Sequence, residues 1–347
     1  MDYELTQNEE KSPRLAWVDF MRFIGAFLVV LAHIDVWGGG PDWAQKIYYT
    51  ISRNGVPIFF LISGYLLLSK QEDLWTFFKK RAVKIIIPFF VWSIVYDVFF
   101  AHSFGNVFTL DAVLKMFIRI LRGPRAAQLW FFYSLIGLYF FTPILRLFVA
   151  KAKKSEILYY IGLWFITMPV MFIVEEFTPL KNGFELYYFA GYVGYFLLGF
   201  YLGQLETTPR LLWIGLGLVV AGALFTFAVF YFNLPPQTNE LPFRSYPSLN
   251  IVLMAIGVFI LLKAAGERIS PRLARFSAIV SPSTFGIYLI HSIILSGMVA
   301  GWEALGFQTA AGPSILVIPL VAVIAFLLSW GVTAVMRKIP IIRATVP

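Results

Sequence analysis

The chain has 347 residues, of which 59% are hydrophobic and only 14% charged, and its mean hydropathy is +0.76. Soluble domains carry about 25% charged residues, so this composition excludes that class and predicts a polytopic bundle of membrane helices. Continuous apolar runs argue against a membrane β-barrel, and the absence of cysteine excludes disulfides and thiolate sites. The net charge of +9 arises beside the apolar runs, so we attribute it to membrane topology and expect no nucleic-acid partner.

A window of about 20 residues predicts ten spans in chain order. They lie near residues 15–36, 47–69, 82–101, 128–148, 156–175, 185–204, 210–232, 249–265, 282–301 and 313–336. With the N-terminus inside, Lys and Arg are concentrated in the inner segments, so both termini are expected in the cytoplasm. The chain then divides into a tail over 1–14, a transmembrane domain over 15–336 and a tail over 337–347.

The first predicted span contains ionisable residues that are costly inside a membrane. Arg22 and His33 are 11 residues apart, which places them about 20° from the same helix face and roughly 16 Å apart along the axis. Asp19 precedes Arg22 by three residues on the same stripe. Ionisable groups in a span face protein or water and are candidates for function. The alternative for Arg22 is a structural ion pair with Asp19.

The segment near residues 109–122 is basic although the topology places it outside. Leu110, Val113, Leu114, Phe117, Ile118 and Leu121 follow helical spacing, with Lys115, Arg119 and Arg122 opposite. This pattern predicts an amphipathic helix at the interface with membrane lipids. It either anchors the protein at the membrane surface or helps to hold an anionic lipid-linked substrate.

Five segments in chain order resemble the membrane-bound acyltransferase-3 family over nearly the whole chain. They are the Arg22–His33 pair with ten residues between, residues 55–65 (GVPIFFLISGY), residues 81–88 (RAVKIIIP), residues 129–132 (LWFF) with Tyr139 and Pro143 beyond, and residues 283–291 (STFGIYLIH). Lys84 stands where the family has a second arginine. The chain looks most similar to the branch that includes the enterobacterial common antigen O-acetyltransferase.

The resemblance implies O-acylation of a cell-surface or lipid-linked glycan in the bacterial inner membrane, with acetyl-CoA from the cytoplasm as the acyl donor. A hydroxyl acceptor needs a base, and the neutral imidazole of His33 could act as that base or accept the acyl group transiently. The chain has three histidines and no cysteine, so no metal is expected. The alternative function is a transporter or flippase of a lipid-linked sugar, with the polar stripe along its path.

The donor side of the expected site includes four residues. Arg22 would contact the donor's phosphate or carbonyl oxygen. Arg81 and Lys84 would dock the phosphates of coenzyme A, although the positive-inside rule also explains a basic cluster there. Ser63 lies beside Gly64, and this small pair either permits close helix packing or leaves room for the pantetheine arm.

The acceptor side is expected to include Asp35, Trp130, Glu185 and His291. Asp35 could orient His33 if the helix ends between them; otherwise it lies at a solvated helix end. Trp130 is either a packing aromatic or a ligand to the acceptor, and Glu185 either binds sugar or lies in a solvated loop. His291 is expected to be structural or to line a pocket, with catalysis as the alternative. The third histidine, His102, is expected to face solvent at a span end.

Overall fold

A computed structural model describes residues 15–34, 37–39, 42–101, 109–180, 186–232, 243–309 and 312–347. Within these ranges the chain is helical and forms no β-strand. The helices are α1 (Ala16–Leu31), α2 (Asp42–Ser52), α3 (Gly55–Leu68), α4 (Leu74–Arg81), α5 (Ile87–Ala101), α6 (Leu110–Arg122), α7 (Trp130–Lys151), α8 (Lys154–Phe165), α9 (Met171–Phe177), α10 (Val193–Gly203), α11 (Pro209–Tyr231), α12 (Leu249–Glu267), α13 (Pro271–Val280), α14 (Thr284–Ala304) and α15 (Ser314–Met336). This all-helical architecture agrees with the helical membrane class predicted from composition.

Eight helical stretches of the described chain are long and apolar enough to cross a membrane. They are Trp43–Leu68, Leu74–Phe99, Ala127–Lys151, Lys154–Phe177, Pro209–Tyr231, Leu249–Glu267, Pro271–Ala304 and Ser314–Met336. The other two predicted spans correspond to α1, with 16 residues, and α10, with 11 residues. Both are shorter than the ~20 residues that a span needs, so the predicted count of ten and its topology remain expectations.

Helix α1 lies at the centre of the bundle. It packs against α3, α12, α13, α14 and α15, and ten of its 16 residues are buried. Asp19 is among them, with only 4% of its surface exposed. A helix surrounded by protein can carry ionisable side chains at a lower cost than a helix that faces lipid. The polar stripe of the first span therefore lies inside the protein.

Two glycines allow α3 and α10 to pack with their backbones in close approach. A Cβ at Gly199 would lie 1.9 Å from the carbonyl oxygen of Leu61, and a Cβ at Gly64 would lie 2.1 Å from that of Phe196. Small residues at such crossings are typical of membrane helix pairs. The contact explains Gly64 through helix packing, which was one of the two interpretations of the Ser63–Gly64 pair.

Several helices are interrupted where function is expected. The second predicted span breaks at a turn over Arg53 and Asn54, between α2 and α3. Pro57 lies in the first turn of α3, where its missing amide leaves no hydrogen bond unmade. A π-helical segment, Ala82–Ile86, joins α4 to α5 and contains Lys84. Such segments occur frequently at functional sites.

The chain beyond α1 is fastened to the start of α15. The Gly39 carbonyl accepts hydrogen bonds from both the backbone amide and the hydroxyl of Ser314, each at 2.8 Å. Gly38 has a φ of 83°, and a Cβ there would lie 2.8 Å from the Ser314 Cα. Only glycine allows both the left-handed backbone and this close approach. α1 ends at Leu31, so His33 lies in the turn that follows it and not on the helix that the sequence predicted over 15–36. The contacts of Gly38 and Gly39 with α15 hold the chain just beyond that turn.

The predicted amphipathic helix corresponds to α6. The hydroxyl of Thr109 caps it by accepting a hydrogen bond from the Ala112 amide. The six apolar side chains of the predicted stripe are exposed, whereas Ile120 is buried. Arg119 does not lie on a free polar face, because its Nη2 pairs with Asp97 of α5 at 2.7 Å. Arg125 pairs with the other oxygen of Asp97 at 2.5 Å. These two ion pairs fix α6 against the bundle.

Candidate active site

A cavity of about 310 Å³ brings together three of the residues expected on the donor side. Arg22 from α1, Ser63 from α3 and Lys84 from the π-helical segment all line it. Its other lining residues are Phe59, Ile62, Ile85, Phe131, Leu135, Tyr139, Ser281, Pro282, Thr284, Phe285, Tyr288 and Pro347. We call this space the basic cavity. It combines two cations with hydroxyl groups and apolar walls, a chemistry that suits an anionic ligand with a partly apolar arm.

Arg81 was expected to act with Lys84, but the two side chains have different surroundings. Arg81 Nη1 pairs with Glu72 at 2.9 Å, and Arg146 Nη2 pairs with the same carboxylate oxygen at 3.1 Å. Both guanidinium carbons lie over the Phe77 ring, at 4.2 and 4.7 Å from its centroid. Arg81 is not among the residues that line the basic cavity. It belongs to a cluster of charges beside that cavity.

Glu72 was not singled out from the sequence, although it is an acid within a strongly basic segment. Burial raises the pKa of its carboxyl, but the charges of Arg81 and Arg146 and their hydrogen bonds more than offset this, so the pKa lies below its usual value. Glu72 and Arg146 also line a groove of about 1140 Å³ next to Leu68. A partly buried carboxylate that bonds two guanidiniums holds α4 and α7 together.

His33 and His291 lie against each other at the far end of α1 from Arg22. Their ring centroids are 4.7 Å apart at an interplanar angle of 66°. His33 Nδ1 lies 2.8 Å from the carbonyl oxygen of Val29, and His291 Nδ1 lies 2.7 Å from that of Tyr288. Because a carbonyl only accepts, each Nδ1 carries a proton in the neutral ring, and each Nε2 carries the lone pair. Nε2 of His33 is thus the atom that can act as a base.

His291 is completely buried and lies on α14, and the hydroxyl of Ser292 is 3.4 Å from its Nε2. Two adjacent imidazolium ions would repel each other, so the pair can hold one extra proton more easily than two. The sequence expected His291 to line a pocket or to be structural, with catalysis as the alternative. Its contact with the ring of His33 brings it into the immediate surroundings of the candidate base.

Tyr288 connects the histidine pair to the basic cavity. Its ring lines that cavity, its carbonyl accepts the His291 Nδ1 proton, and its hydroxyl donates to the carbonyl of Gln128. The Tyr288 and His291 ring centroids are 6.1 Å apart. One buried residue therefore separates the cationic end of the site from its imidazole end.

A second group of aromatic and cationic residues lies near the C-terminal end of α1. Trp130 stacks on Tyr246, with ring centroids 5.3 Å apart and an interplanar angle of 21°. The Cζ atom of Arg53 lies 4.2 Å from the centroid of the Tyr49 ring and 5.3 Å from that of Tyr246. Trp130 thus packs within an aromatic layer, as the packing interpretation expected. The sequence analysis assigned no role to Arg53, the arginine in this layer.

Three residues from the sequence analysis, Asp35, His102 and Glu185, lie outside the described part of the chain. Their expected roles therefore stay predictions. Within the described ranges, no three His, Asp or Glu side chains gather in a way that could hold a metal ion.

The eight long apolar helices and the strand-free bundle of the described chain define a multi-pass membrane protein. The family model of the acyltransferase domain matches residues 15–334. This match covers most of the 347 residues, so the chain belongs to that family, Acyl_transf_3, and is a membrane acyltransferase. No curated protein and no solved structure gives a significant match.

Proposed function

We propose that the protein transfers an acyl group from acyl-CoA to a hydroxyl of a cell-surface or lipid-linked glycan, and we favour acetyl as that acyl group. The observation that carries this proposal is the link through Tyr288 between the basic cavity and the His33–His291 pair. Transfer from a negatively charged donor to a hydroxyl acceptor needs a cationic donor site next to a base. The glycan acceptor rests on the similarity of the five motifs to a branch that acetylates a surface polysaccharide.

The donor end is proposed to lie at the basic cavity, with the arm of the donor between Ser63 and Tyr288. Arg22 is a permanent cation there, and its planar donors suit a phosphate or the thioester carbonyl oxygen. Lys84 adds a second cation at the cavity. The cluster of Arg81, Glu72 and Arg146 supports the helix ends at the cavity's side, so we assign Arg81 a positioning role as well as an electrostatic one.

The acceptor end is proposed to lie at His33. In direct transfer, Nε2 of His33 takes the hydroxyl proton as the sugar oxygen attacks the thioester carbonyl, and the departing thiolate of CoA is then protonated. In the two-step alternative, Nε2 itself attacks the carbonyl and the thiolate of CoA leaves. The sugar hydroxyl then takes the acyl group from Nε2, which regains its lone pair, and the hydroxyl proton passes to the thiolate. The proton on Nδ1 is held by the Val29 carbonyl in both routes, which keeps the reactive lone pair on Nε2.

The family assignment favours acyl transfer over the alternative of a lipid-linked sugar transporter. The test is to incubate purified protein in lipid with radiolabelled acetyl-CoA and candidate glycans. We expect label on the glycan with wild-type protein and none with His33→Ala. His102→Ala, which alters the third histidine of the chain, is the matched control and should transfer label normally. Glycan labelling by His33→Ala at the wild-type rate contradicts the proposed role.

A further inference from the structure

A second cavity, of about 400 Å³, adjoins the turn after α1 that carries His33. We call it the outer cavity. Ala32 and Ile34, the residues on either side of His33, line it together with Lys46, Tyr48 and Arg244. None of the described residues that line it is acidic. It therefore combines positive charge with tyrosine side chains next to the proposed base.

Two arginines from distant parts of the sequence lie against Phe230, a ring that lines this cavity. The Cζ atoms of Arg53 and Arg244 lie 5.9 and 5.0 Å from the centroid of the same Phe230 ring. Phe230 also meets the Tyr49 ring edge to face, with centroids 4.2 Å apart, and both rings line the cavity. Cation–π contacts hold the two guanidiniums in place, and both contribute positive charge on this side of the cavity.

Arg53 adds positive charge behind this wall. It does not itself line the cavity, and its Nε is buried without a hydrogen-bond partner among the described residues. Arg53 therefore acts on an anion in the cavity through its charge, from behind the Phe230 ring.

The segment that carries Arg244 is fixed before any ligand arrives. The hydroxyl of Tyr195 donates to the Tyr246 carbonyl at 2.6 Å, and the Asn250 side chain donates to the Phe243 carbonyl at 3.0 Å. The stack of Tyr246 on Trp130 adds a third attachment. A cation held in this way loses little conformational entropy when a ligand binds.

We propose that the outer cavity binds an anionic substituent, a carboxylate or a phosphate, of the acceptor glycan. Arg244 binds the anion directly, Arg53 adds a second positive charge from behind Phe230, and the tyrosines of the wall contact the sugar ring. This inference rests on the proposed function, and it narrows the acceptor from any glycan to an acidic one. The anion would fix the orientation of the acceptor relative to His33.

The test measures binding alone, without acyl-CoA. Purified protein in phosphatidylcholine nanodiscs is titrated with methyl β-D-glucuronide, with the neutral methyl β-D-glucoside, and with glucose 6-phosphate. We expect the charged sugar that fits to bind at least ~10-fold more tightly than the glucoside, because a charge-assisted hydrogen bond contributes that much. Arg244→Gln should abolish this preference and Arg244→Lys should retain part of it. Arg53→Gln should weaken it, and the exposed Arg268→Gln should leave it unchanged.

Equal affinity of the wild-type protein for the charged and neutral sugars overturns the proposal, as does a preference that survives Arg244→Gln. The same titrations in nanodiscs that contain phosphatidylglycerol separate the two sources of anion. If the anionic lipid displaces the charged sugar, the cavity binds a lipid headgroup and the acceptor assignment is wrong. An anion preference without His33-dependent transfer refutes only the proposed function. Unchanged transfer to acidic glycans by Arg244→Gln refutes only this inference.

Discussion

The contact between α3 and α10 makes Gly199→Ala a sharp test of the packing. The added Cβ would lie 1.9 Å from the Leu61 carbonyl oxygen, whereas ordinary contact begins at 3.4 Å, so the helices must separate by about 1.5 Å. Overpacking of this kind costs about 1–3 kcal/mol. The gain in helix propensity from Gly to Ala, up to about 1 kcal/mol, offsets only part of that. We expect the variant to be less stable than the wild-type protein.

Gly217→Ala in α11 is the matched control, because the same substitution there meets nothing within 4 Å. It keeps the propensity gain without the clash, and because both variants share that gain, they should differ by the cost of overpacking, about 1–3 kcal/mol. The assay heats each protein in the same detergent and measures the monodisperse fraction by size-exclusion chromatography. A melting temperature for Gly199→Ala equal to or above that of Gly217→Ala refutes the close approach of α3 and α10.

Three further predictions concern the charges and the second histidine. Lys84→Ala should raise the KM for acetyl-CoA several-fold with little change in kcat. Lys79→Ala removes a neighbouring cation outside the basic cavity and should leave the KM unchanged. An equal rise in KM for both variants contradicts a donor site at the basic cavity. The pKa of Glu72 is depressed, so its ion pairs stabilise the fold fully above the unfolded pKa of about 4.5, and this stabilisation is lost as the pH falls through the folded pKa. Glu72→Gln should therefore lower the melting temperature at pH 7 and make the melting temperature less dependent on pH in the acid range. A variant whose melting temperature falls with acid as steeply as that of the wild-type protein contradicts this. His291→Gln should lower kcat and shift its pH profile while membrane insertion stays normal, and an unchanged profile shows that His291 only packs against His33.

The helices and the polar stripe could be predicted from the sequence because both are local properties. Continuous apolar runs of about 20 residues mark membrane helices, and eight of the ten predicted stretches correspond to helices of sufficient length. Arg22 and His33 were found because helical geometry alone places residues 11 apart near one face. Helical spacing also predicted a helix near residues 109–122, where the structure has α6 over Leu110–Arg122; its position at the membrane interface stays a prediction.

The surroundings of the site residues could not be predicted, since they depend on packing between distant segments. Nothing in the sequence pairs His33 with His291, because 258 positions separate them. Arg146 of α7 binds Glu72 from 74 positions further along the chain, and this long-range contact places Arg81 in a charge cluster that the sequence did not predict. The short length of α10 was also not visible, since its apolar flanks extend the hydropathy signal beyond the helix.

The sequence by itself determined that this is a helical membrane protein with a costly arginine and histidine in one predicted span, because hydropathy and helical periodicity act over a few turns. Only the tertiary structure decided what those two residues meet: a second cation in the basic cavity for Arg22, and a second imidazole for His33. The same holds for the convergence of Arg53 and Arg244 on Phe230. Side-chain contacts across a bundle are set by the relative positions of whole helices, so a local sequence pattern does not predict them.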